Sequence, residues 1–599
     1  MNNDKKVRIG CASAFWGDTS TAAKQLVKLG SLDYLVFDFL AEVTMSILAG
    51  AKLKNPDMGY ATDFVKQIVP LLKEIKDNNI KIISNAGGLN ANACRSILIE
   101  EATKLGIELK IAVVDGDSLS SRSEDYIKED IREMESGASF PKDNLSINAY
   151  LGAPGIVCAL EQDADIVITG RCVDSAMVLA PLMFEFGWKD NDYDLLASGS
   201  LAGHIIECGA QCTGGNYTDW KDVKGFDNMG FPIVEVLSNG EFIVSKPKGT
   251  GGLVTFGTVS EQFLYEIGNP SEYLLPDVVC DFTNVSIQSI GDDLVLVKGA
   301  KGSPPTNTYK VSLTYMKGFR VAGTLVISGM RSMEKGVIIA NAIFMKTRRI
   351  LEENNLEDFS DTSFDLIGTD SIYGPDKSKE DSKEIVLRLL ARHPKKEALI
   401  IFSSELAQAV TGMASGVINY LGGRPPVSNS IHLFSFLIPK KDISIEVDIE
   451  DNKFLVEVET NGGYKELESR VARNKSIIND ELSNTTTLIN LAFARSGDKG
   501  DHANIGVIAR EPNFLLFIQN ALTNEVISKY FDHVLKGSVE SWDVPGVNGL
   551  NFLLKNSLGG GGMASLNIDP QGKSYAQQLL EIEIPITKEI SDQLDINGN

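Results

Sequence analysis

The fold is decided by a short segment in which an apolar run passes directly into polar residues. Residues 34–45 read Tyr-Leu-Val-Phe-Asp-Phe-Leu-Ala-Glu-Val-Thr-Met. A continuous apolar run followed by polar residues is typical of a buried strand of a parallel sheet, and similar runs recur with helical spacers between them. We therefore predict an α/β domain whose mainly parallel sheet is covered on both faces. The predicted strands are Val7–Ala12, Tyr34–Phe39, Ile80–Ser84, Leu109–Val114 and Asp165–Thr169.

The rest of the chain divides into an α+β region and a small second domain. Helical periodicity predicts one helix over Thr62–Asn78 within the α/β part. From about residue 290 the pattern changes to hairpin-like strands, Val311–Met316 and Thr324–Ile327, followed by a helix over Gly336–Asn354. We predict three parts: an α/β domain over 1–455, a charge-rich linker over 456–486 with a turn at 461–463, and a ferredoxin-like α+β domain over 487–590.

The carboxy-terminal domain is predicted from its own alternation of strands and helices. Its strands and helices are expected at Leu488–Ala494, Ala503–Ala509, Asn520–Phe531, Val539–Val544, Leu550–Leu554 and Ser574–Leu580. Charged and glycine-rich residues separate the first two strands, and we interpret them as a loop.

Composition excludes several classes of protein. The chain has 599 residues, of which 43% are hydrophobic and 23% charged, as in globular proteins. A formal net charge of −23 disfavours nucleic acid as a partner. Seven cysteines without CxxC spacing indicate neither a disulfide scaffold nor a zinc ribbon. The longest apolar run, Tyr34–Ala51, contains Asp38 and Glu42, so we reject membrane insertion and expect a cytoplasmic protein.

Two carboxylates follow the second predicted strand. Asp38 and Glu42 are four residues apart and would share one helical face among apolar neighbours. Partial burial would raise their pKa values and suit them to general acid or base catalysis. Binding of a divalent metal through oxygen, or structural capping and ion pairing, are the alternatives.

Two further motifs follow strands three and five of the predicted sheet. After strand three, Asn85 supplies an amide and Gly87 and Gly88 permit close approach of a ligand, so this segment is either an anion cradle or a plain turn. After strand five, Arg171 is suited to clamp a carboxylate or phosphate, with Asp174 to orient it or act as a base. The alternative is an Arg–Asp pair that fixes a loop.

The densest polar stretch is Gly203–Trp220. His204, Glu207 and Cys208 fall within one helical turn, which would present an imidazole, a carboxylate and a thiol together. Cys208 or Cys212 is then a candidate nucleophile activated by His204, although a buried cysteine and a hydrogen-bonded histidine are the common structural alternatives. The candidate substrate-binding residues that follow are Gly214, Gly215 and Asn216.

In the last domain, a charged loop and a run of four glycines are candidate ligand-binding segments. The loop residues Arg495, Ser496, Asp498 and Lys499 are candidates for substrate binding. We predict that the segment from Arg495 to His502 approaches Gly559–Gly562 and forms a ligand or domain-docking surface with it. A solvated, flexible loop is the alternative.

These segments together resemble the acyclic terpene utilisation (AtuA-like) family over nearly the whole chain. The resemblance implies a ferredoxin-like carboxy-terminal domain and a role in the catabolism of citronellol, geraniol or related branched acyl-CoA compounds. The motifs that carry it are Phe37-Asp-Phe-Leu-Ala-Glu-Val-Thr, Asn85-Ala-Gly-Gly, Thr169-Gly-Arg-Cys-Val-Asp-Ser, Gly203-His-Ile-Ile-Glu-Cys-Gly-Ala-Gln-Cys-Thr-Gly-Gly-Asn and Ala494-Arg-Ser-Gly-Asp-Lys-Gly-Asp.

The leading hypothesis is an enzyme, a lyase or a hydrolase, that acts on an anionic small molecule such as an acyl-CoA. A non-catalytic binding or scaffolding subunit for partner enzymes is the alternative. The cofactor is left open, with a divalent metal as one candidate. A homo-oligomer is an open alternative for the assembly.

Overall fold

The computed structural model describes residues 5–374, 382–420, 422–466, 478 and 480–597. Its largest sheet contains all five predicted strands of the α/β part, in the parallel order β1-β2-β3-β6-β4. Antiparallel strands extend both edges to give eleven strands in the order β11-β12-β8-β7-β1-β2-β3-β6-β4-β19-β20. The strands of this part of the chain are β1 Lys6–Cys11, β2 Tyr34–Phe37, β3 Lys81–Ser84, β4 Ile111–Asp115, β5 Asn144–Ala149, β6 Ile166–Thr169, β7 Ile233–Leu237, β8 Phe242–Ser245, β9 Tyr273–Leu274, β10 Val279–Asp281, β11 Ser286–Gly291, β12 Leu294–Lys298, β13 Lys301–Ser303, β19 Ile445–Ile449 and β20 Asn452–Val456. Of these, β9, β10 and β13 form a separate three-stranded sheet, and β5 belongs to the second sheet described below.

Helices cover both faces of this sheet, and an apolar cluster fills each face. The helix predicted over Thr62–Asn78 is interrupted by a 3-10 turn at Val69–Leu71, because Pro70 cannot continue the helical hydrogen bonding. The helices of this part are α1 Ala22–Leu29, α2 Glu42–Lys54, α3 Thr62–Ile68, α4 Leu72–Asp77, α5 Ala91–Lys104, α6 Ser123–Lys128, α7 Pro154–Glu161, α8 Ala176–Phe186, α9 Tyr193–Glu207 and α10 Phe256–Leu264.

A second sheet is built around one strand of 21 residues, β14 (Thr308–Ser328). The predicted hairpin of Val311–Met316 and Thr324–Ile327 is therefore wrong. The chain passes through a bulge at Gly318, which has a φ of +73°, and continues in the same direction. The other strands of this sheet are β5, β15 Asp361–Ile367, β16 Glu384–His393, β17 Val417–Tyr420 and β18 Ser428–Pro439. Its helices are α11 Ser332–Glu353, α12 Lys396–Glu405 and α13 Ala409–Gly412.

Directly before the predicted linker, residues 445–456 form the β19–β20 hairpin at the edge of the large sheet. The predicted turn lies beside the segment that leads into β14. There Gly462 packs against the backbone of Pro305 and Thr306. Residues 467–477 and 479 of the predicted linker lie outside the described residues.

The carboxy-terminal domain is an antiparallel sheet of order β22-β23-β25-β24 with helices on one face. The loop predicted between its first two strands is wrong, because β22 continues through the charged residues to Lys499 and turns tightly into β23. The strands and helices are β21 Asn484–Thr487, β22 Ala492–Lys499, β23 His502–Ala509, α14 Leu515–Ala521, α15 Asn524–Tyr530, β24 Val539–Val544, β25 Gly549–Leu554, α16 Tyr575–Leu579, β26 Glu583–Ile586 and α17 Lys588–Asn597.

The other face of this sheet packs on α10 of the first domain. Glycines make the close approach possible: a Cβ on Gly506 would lie 2.5 Å from the Leu264 Cβ, and one on Gly497 would lie 2.4 Å from the Tyr265 ring. The two domains are thus closely packed along one helix, which fixes the position of the β22–β23 hairpin.

Candidate functional site

A buried ion pair joins the two domains beside α10. Arg495 donates from Nη2 to Glu261 Oε2 at 2.9 Å and to the carbonyl oxygen of Gly215 at 2.8 Å. Glu261 is fully buried and Arg495 is 4% exposed, so water does not compete for these bonds. Arg510 adds two hydrogen bonds to Asp219, at 2.6 and 2.7 Å. Arg495 therefore fixes the domains together and is not available to bind a substrate.

Because the carboxy-terminal domain packs on α10, the end of β22 lies over the carboxyl ends of the parallel strands, where the predicted motifs meet. Asn85 donates from Nδ2 to Asp38 Oδ1 at 2.7 Å and accepts from the Phe39 amide at 2.8 Å. Burial and the nearby Asp174 raise the pKa of Asp38 well above its usual range. Asp38 is therefore protonated more readily than a solvent-exposed aspartate.

The predicted shared helical face of Asp38 and Glu42 is wrong, because α2 begins only at Glu42. The two side chains nevertheless line the same region. Tyr150 donates its hydroxyl to Glu42 Oε1, and the Arg171 guanidinium lies 4.2 Å from the centre of the Tyr150 ring. Burial acts to raise the pKa of Glu42, but Lys310 and Arg171 outweigh it and lower that pKa to about 2. Glu42 is thus a permanent anion between two cations.

Arg171 and Asp174 form an ion pair, as the structural alternative for this motif required. Arg171 Nη1 donates to Asp174 Oδ1 at 2.6 Å, and the backbone amide of Arg171 donates to Asp117 Oδ2 at 2.8 Å. Among the described residues, Arg171 Nε has no hydrogen-bond partner although it is buried. Asp174 keeps 32% of its side chain exposed, so the pair opens to solvent on one side.

His204 and Glu207 form a hydrogen-bonded pair, and the two partners of His204 indicate which of its ring nitrogens carries a hydrogen. His204 Nε2 lies 3.2 Å from the carbonyl oxygen of Phe263, and Nδ1 lies 3.0 Å from Glu207 Oε1. Burial and Lys499 lower the pKa of His204 to about 4, so the ring is neutral at pH 7. A carbonyl only accepts, so Nε2 carries the hydrogen and Nδ1 accepts.

Glu207 must then donate, which requires its protonated form. The shift in the pKa of Glu207 agrees with this requirement, because burial and the nearby Asp174 raise that pKa well above the usual range. The hydrogen bond and the raised pKa both favour the protonated form of Glu207, which would donate to His204 Nδ1.

The carboxy-terminal domain adds Lys499 to this cluster. The Lys499 ammonium lies 5.3 Å from the centre of the Tyr273 ring. Burial acts to lower its pKa, but Tyr273 and Glu266 outweigh that effect, so the pKa lies above its usual value. Lys310 and Lys499 both remain exposed to solvent although the surrounding protein desolvates them. Solvent contact combined with desolvation is typical of a cleft, here formed between the domains.

A second group of charges lies on the carboxy-terminal side of the cleft. Lys573 donates to the Tyr265 hydroxyl and lies 3.9 Å from both Glu266 and Asp498. Burial and Glu266 raise the pKa of Asp498 to about 7. A cavity of about 380 Å³ elsewhere, between Asp194 and Lys301, includes none of these groups.

The structure does not form the predicted His204–Cys208 nucleophile. Both ring nitrogens of His204 have other partners, as described above. Burial and the adjacent Glu207 raise the Cys208 pKa well above its usual value, which is opposite to activation. Cys212 is buried, and burial raises the pKa of its thiol to about 12. Cys212 therefore has the character of a small core residue, and Cys208 is a partly buried thiol that is not activated.

Several predicted substrate-binding residues have packing roles. Cβ atoms on Gly87 and Gly88 would lie 2.6 Å from the Thr169 carbonyl oxygen and 2.4 Å from Leu48 Cδ1, so both glycines allow close packing of the chain. Ser496 donates to the carbonyl oxygen of Gly572 at 2.6 Å.

The segment Gly214–Asn216 lies at the domain contact and outside the cleft. Gly214 has a φ of +108°, Gly215 accepts from Arg495, and Asn216 is exposed with Nδ2 at 3.4 Å from Gln211 Oε1. These residues position the ion pair and do not face the acid cluster.

The predicted approach of the β22–β23 hairpin to the four-glycine run is confirmed. The amide of Gly560 donates to Asp501 Oδ1 at 2.6 Å, and the amides of Ser557 and Leu558 donate to the Asp501 carbonyl oxygen at 3.0 and 3.2 Å. The hairpin is also a docking element, because His502 lies 3.0 Å from Glu135 of the first domain.

Within the described part of the chain, no group of three or more histidine, cysteine, aspartate or glutamate side chains is arranged to hold a metal ion. None of the helices described is long and apolar enough to cross a membrane. Sequence reasoning missed four groups of the cleft, Tyr150, Glu266, Tyr273 and Lys310. Lys310 lies directly before the predicted strand Val311–Met316, and no motif marks it.

These features define a two-domain α/β protein whose domain cleft combines carboxyl groups of raised pKa with cations. A sequence profile described as acyclic terpene utilisation family protein AtuA matches residues 7–449, and one for the AtuA ferredoxin-like domain matches residues 486–585. The chain belongs to the acyclic terpene utilisation AtuA family, which confirms the resemblance seen in its motifs. Neither a curated protein nor a solved structure matches it.

Proposed function

We propose that this protein is an enzyme of acyclic terpenoid catabolism that moves a proton on an anionic, branched acyl compound. The observation that carries the proposal is the pair of buried acids Asp38 and Glu207, whose pKa values are raised, beside the cations Arg171, Lys310 and Lys499. A carboxylic acid that keeps its proton at neutral pH is suited to donate it to a substrate.

The cations suit the cleft to a substrate with a carboxylate or a polarised carbonyl oxygen. Lys310 and Lys499 reach it from opposite domains, and each keeps solvent contact that a ligand can replace. In a low-dielectric cleft such donors stabilise negative charge that develops on an oxygen atom. Glu42 remains ionised between Lys310 and Arg171 and holds them in place. Asp38 then supplies or removes the proton at the adjacent carbon or leaving group.

This arrangement suits both a lyase and a hydrolase, because each needs a proton donor next to a stabilised oxyanion. In a carbon–carbon lyase the proton goes to the carbon that keeps the bonding electron pair. In a hydrolase it goes to the leaving group. Membership of the acyclic terpene utilisation family supports an acyclic terpenoid acid as the substrate class. Its acyl-CoA thioester is the second candidate that we propose.

The proposal is tested by incubation of the purified protein in heavy water with a panel of acyclic terpenoid acids and their CoA thioesters. Mass spectrometry follows deuterium incorporation and new products. We expect turnover or exchange in the wild type and a loss of about 100-fold or more in Asp38→Asn, as for a lost general acid. The control is Asp163→Asn, whose side chain is 77% exposed and lies before β6, at the opposite end of that strand from the cleft motif.

Two results would contradict the proposal. Equal rates in Asp38→Asn and the control would remove Asp38 from the chemistry. Thermal stabilisation by a panel compound, with neither exchange nor product in any variant, would favour the alternative of a binding or scaffolding subunit.

A further inference from the structure

A cross-strand row of three side chains forms the floor of the cleft on the side of the second sheet. Lys310 on β14 lies directly opposite Leu437 on β18. On the other side of β14, the amide of Tyr150 donates to the Lys310 carbonyl oxygen at 2.9 Å. Side chains of directly opposite residues share one face of a sheet and lie about 5 Å apart. The row therefore runs from Tyr150 beside the cleft acids, through Lys310, to Leu437.

Leu437 is the apolar member of this row and lies outside the core. Its side chain is 50% exposed, whereas its neighbours Phe436 and Ile438 point to the opposite face of the sheet and are buried in the core. A single exposed leucine is common on a protein surface. This leucine lies beside a lysine that faces the cleft, so it gives the cleft an apolar surface next to its cations.

Two ammonium groups from opposite domains lie at the centre of this part of the cleft. In the part of the chain that the structure describes, neither Lys310 nor Lys499 donates a hydrogen bond, and each lies 5.3 Å from the centre of a tyrosine ring. Burial lowers the pKa of Lys310, Glu42 acts against this effect, and the nearby Lys499 lowers the pKa further. Two cations that repel each other across a cleft are stabilised by an anion bound between them.

We infer that the substrate is an amphiphilic carboxylic acid that lies along this row, with its carboxylate between Lys310 and Lys499 and its hydrocarbon chain over Leu437. The order of the row then places the head group nearer to the cleft acids than the chain. Leu437 is a specificity-determining residue, because it contacts the chain and takes no part in the binding of the carboxylate. This inference rests on the proposed substrate class and adds the orientation of the substrate.

Isothermal titration calorimetry with citronellate, citronellol and isovalerate tests this orientation by binding alone. Citronellate should bind the wild type about tenfold or more tighter than citronellol, because only the acid supplies a negative charge to the two lysines. Citronellate should also bind about tenfold or more tighter than isovalerate, because its longer chain buries more apolar surface. The first ratio measures recognition of the head group, and the second measures recognition of the chain.

Each part of the row should control one of these two ratios, which a merely structural role would not do. Lys310→Met and Lys499→Met should each remove most of the preference for the acid over the alcohol. Leu437→Ser should reduce the preference for the longer acid by about fivefold or more and keep the preference for acid over alcohol. The matched controls are Lys54→Met, at the exposed far end of α2, and Leu455→Ser, whose side chain is 71% exposed on β20.

Melting curves check that each variant is folded, and Lys499→Met serves if Lys310→Met is not. The inference is overturned if citronellate does not bind the wild type, or if the lysine variants keep the preference for the acid. It is also overturned if Leu437→Ser weakens both acids by the same factor or leaves both unchanged. A failure of the proposed reaction is a separate result: no exchange or product, with both selectivities as expected, would contradict the reaction and support the orientation.

Discussion

Removal of the Arg495 charge should loosen the domains and make stability depend on pH. Arg495→Met leaves Glu261 fully buried without its cation, together with the lost hydrogen bond to Gly215. Breaking a buried pair in this way costs about 3–5 kcal/mol in the free energy of unfolding. Urea unfolding followed by the fluorescence of Trp542, in the carboxy-terminal sheet, measures the loss.

The direction in which the stability of Arg495→Met changes with pH follows from the pKa of Glu261. Burial already raises its pKa above 4.5 in the presence of Arg495, and the variant raises it further. Above pH 4.5 the unfolded state has released a proton that the folded variant still holds. Stability of the variant therefore falls as the pH rises, by about 1.4 kcal/mol per pH unit, until the folded pKa is passed.

The double variant Glu261→Gln/Arg495→Met provides the control. It removes the buried charge that the single variant leaves unpaired, so it should regain most of the lost stability and lose the added pH dependence. The reasoning is refuted if the single and double variants are equally unstable, or if the deficit of Arg495→Met is the same at pH 5 and pH 8.

Three further predictions follow from the pKa directions and contacts of the cleft. Cys208 should react slowly with iodoacetamide at neutral pH in the folded protein and fast in urea, because burial raises its pKa; fast labelling of the folded protein would contradict this. Asn85→Leu removes the donor to Asp38 and should lower the free energy of unfolding by about 1–3 kcal/mol, measured in urea; an unchanged midpoint would contradict it. Glu135→Gln should lower the pKa of His502, followed by proton NMR, because Glu135 outweighs burial and raises it; little stability should be lost, since Glu135 is 57% exposed. An unchanged His502 titration would exclude that pair.

The parallel core of the fold was predictable because its strands are continuous apolar runs. The convergence of Asp38, Asn85, Arg171 and Asp174 was predictable for the same reason, since parallel strands end at one edge of a sheet. The chemical roles of these four residues were less predictable. The sequence pattern could not distinguish a substrate-binding arginine from Arg495, whose role depends on Glu261 lying 234 residues away in the chain.

The rest of the site depends on long-range packing. Lys310 lies on a strand that was predicted to turn back near residue 317, and Gly318 instead lets the strand continue. Lys499 reaches the cleft only because Gly497 and Gly506 allow α10 to approach β22 and β23. Neither the position of Lys310 nor that of Lys499 can be predicted from the local spacing of apolar residues. The missed residues Tyr150 and Tyr273 likewise meet the motifs only after the sheets are assembled.

The central claim is that the cleft holds two neutral carboxylic acids at neutral pH, and infrared spectroscopy tests it most directly. Difference spectra at pH 7 between the wild type and each of Asp38→Asn and Glu207→Gln isolate the carbonyl stretch of a protonated carboxyl group. We predict that each substitution removes one such band. Spectra in which both substitutions remove only carboxylate bands would contradict the account, because ionised Asp38 and Glu207 could not donate a proton to a substrate.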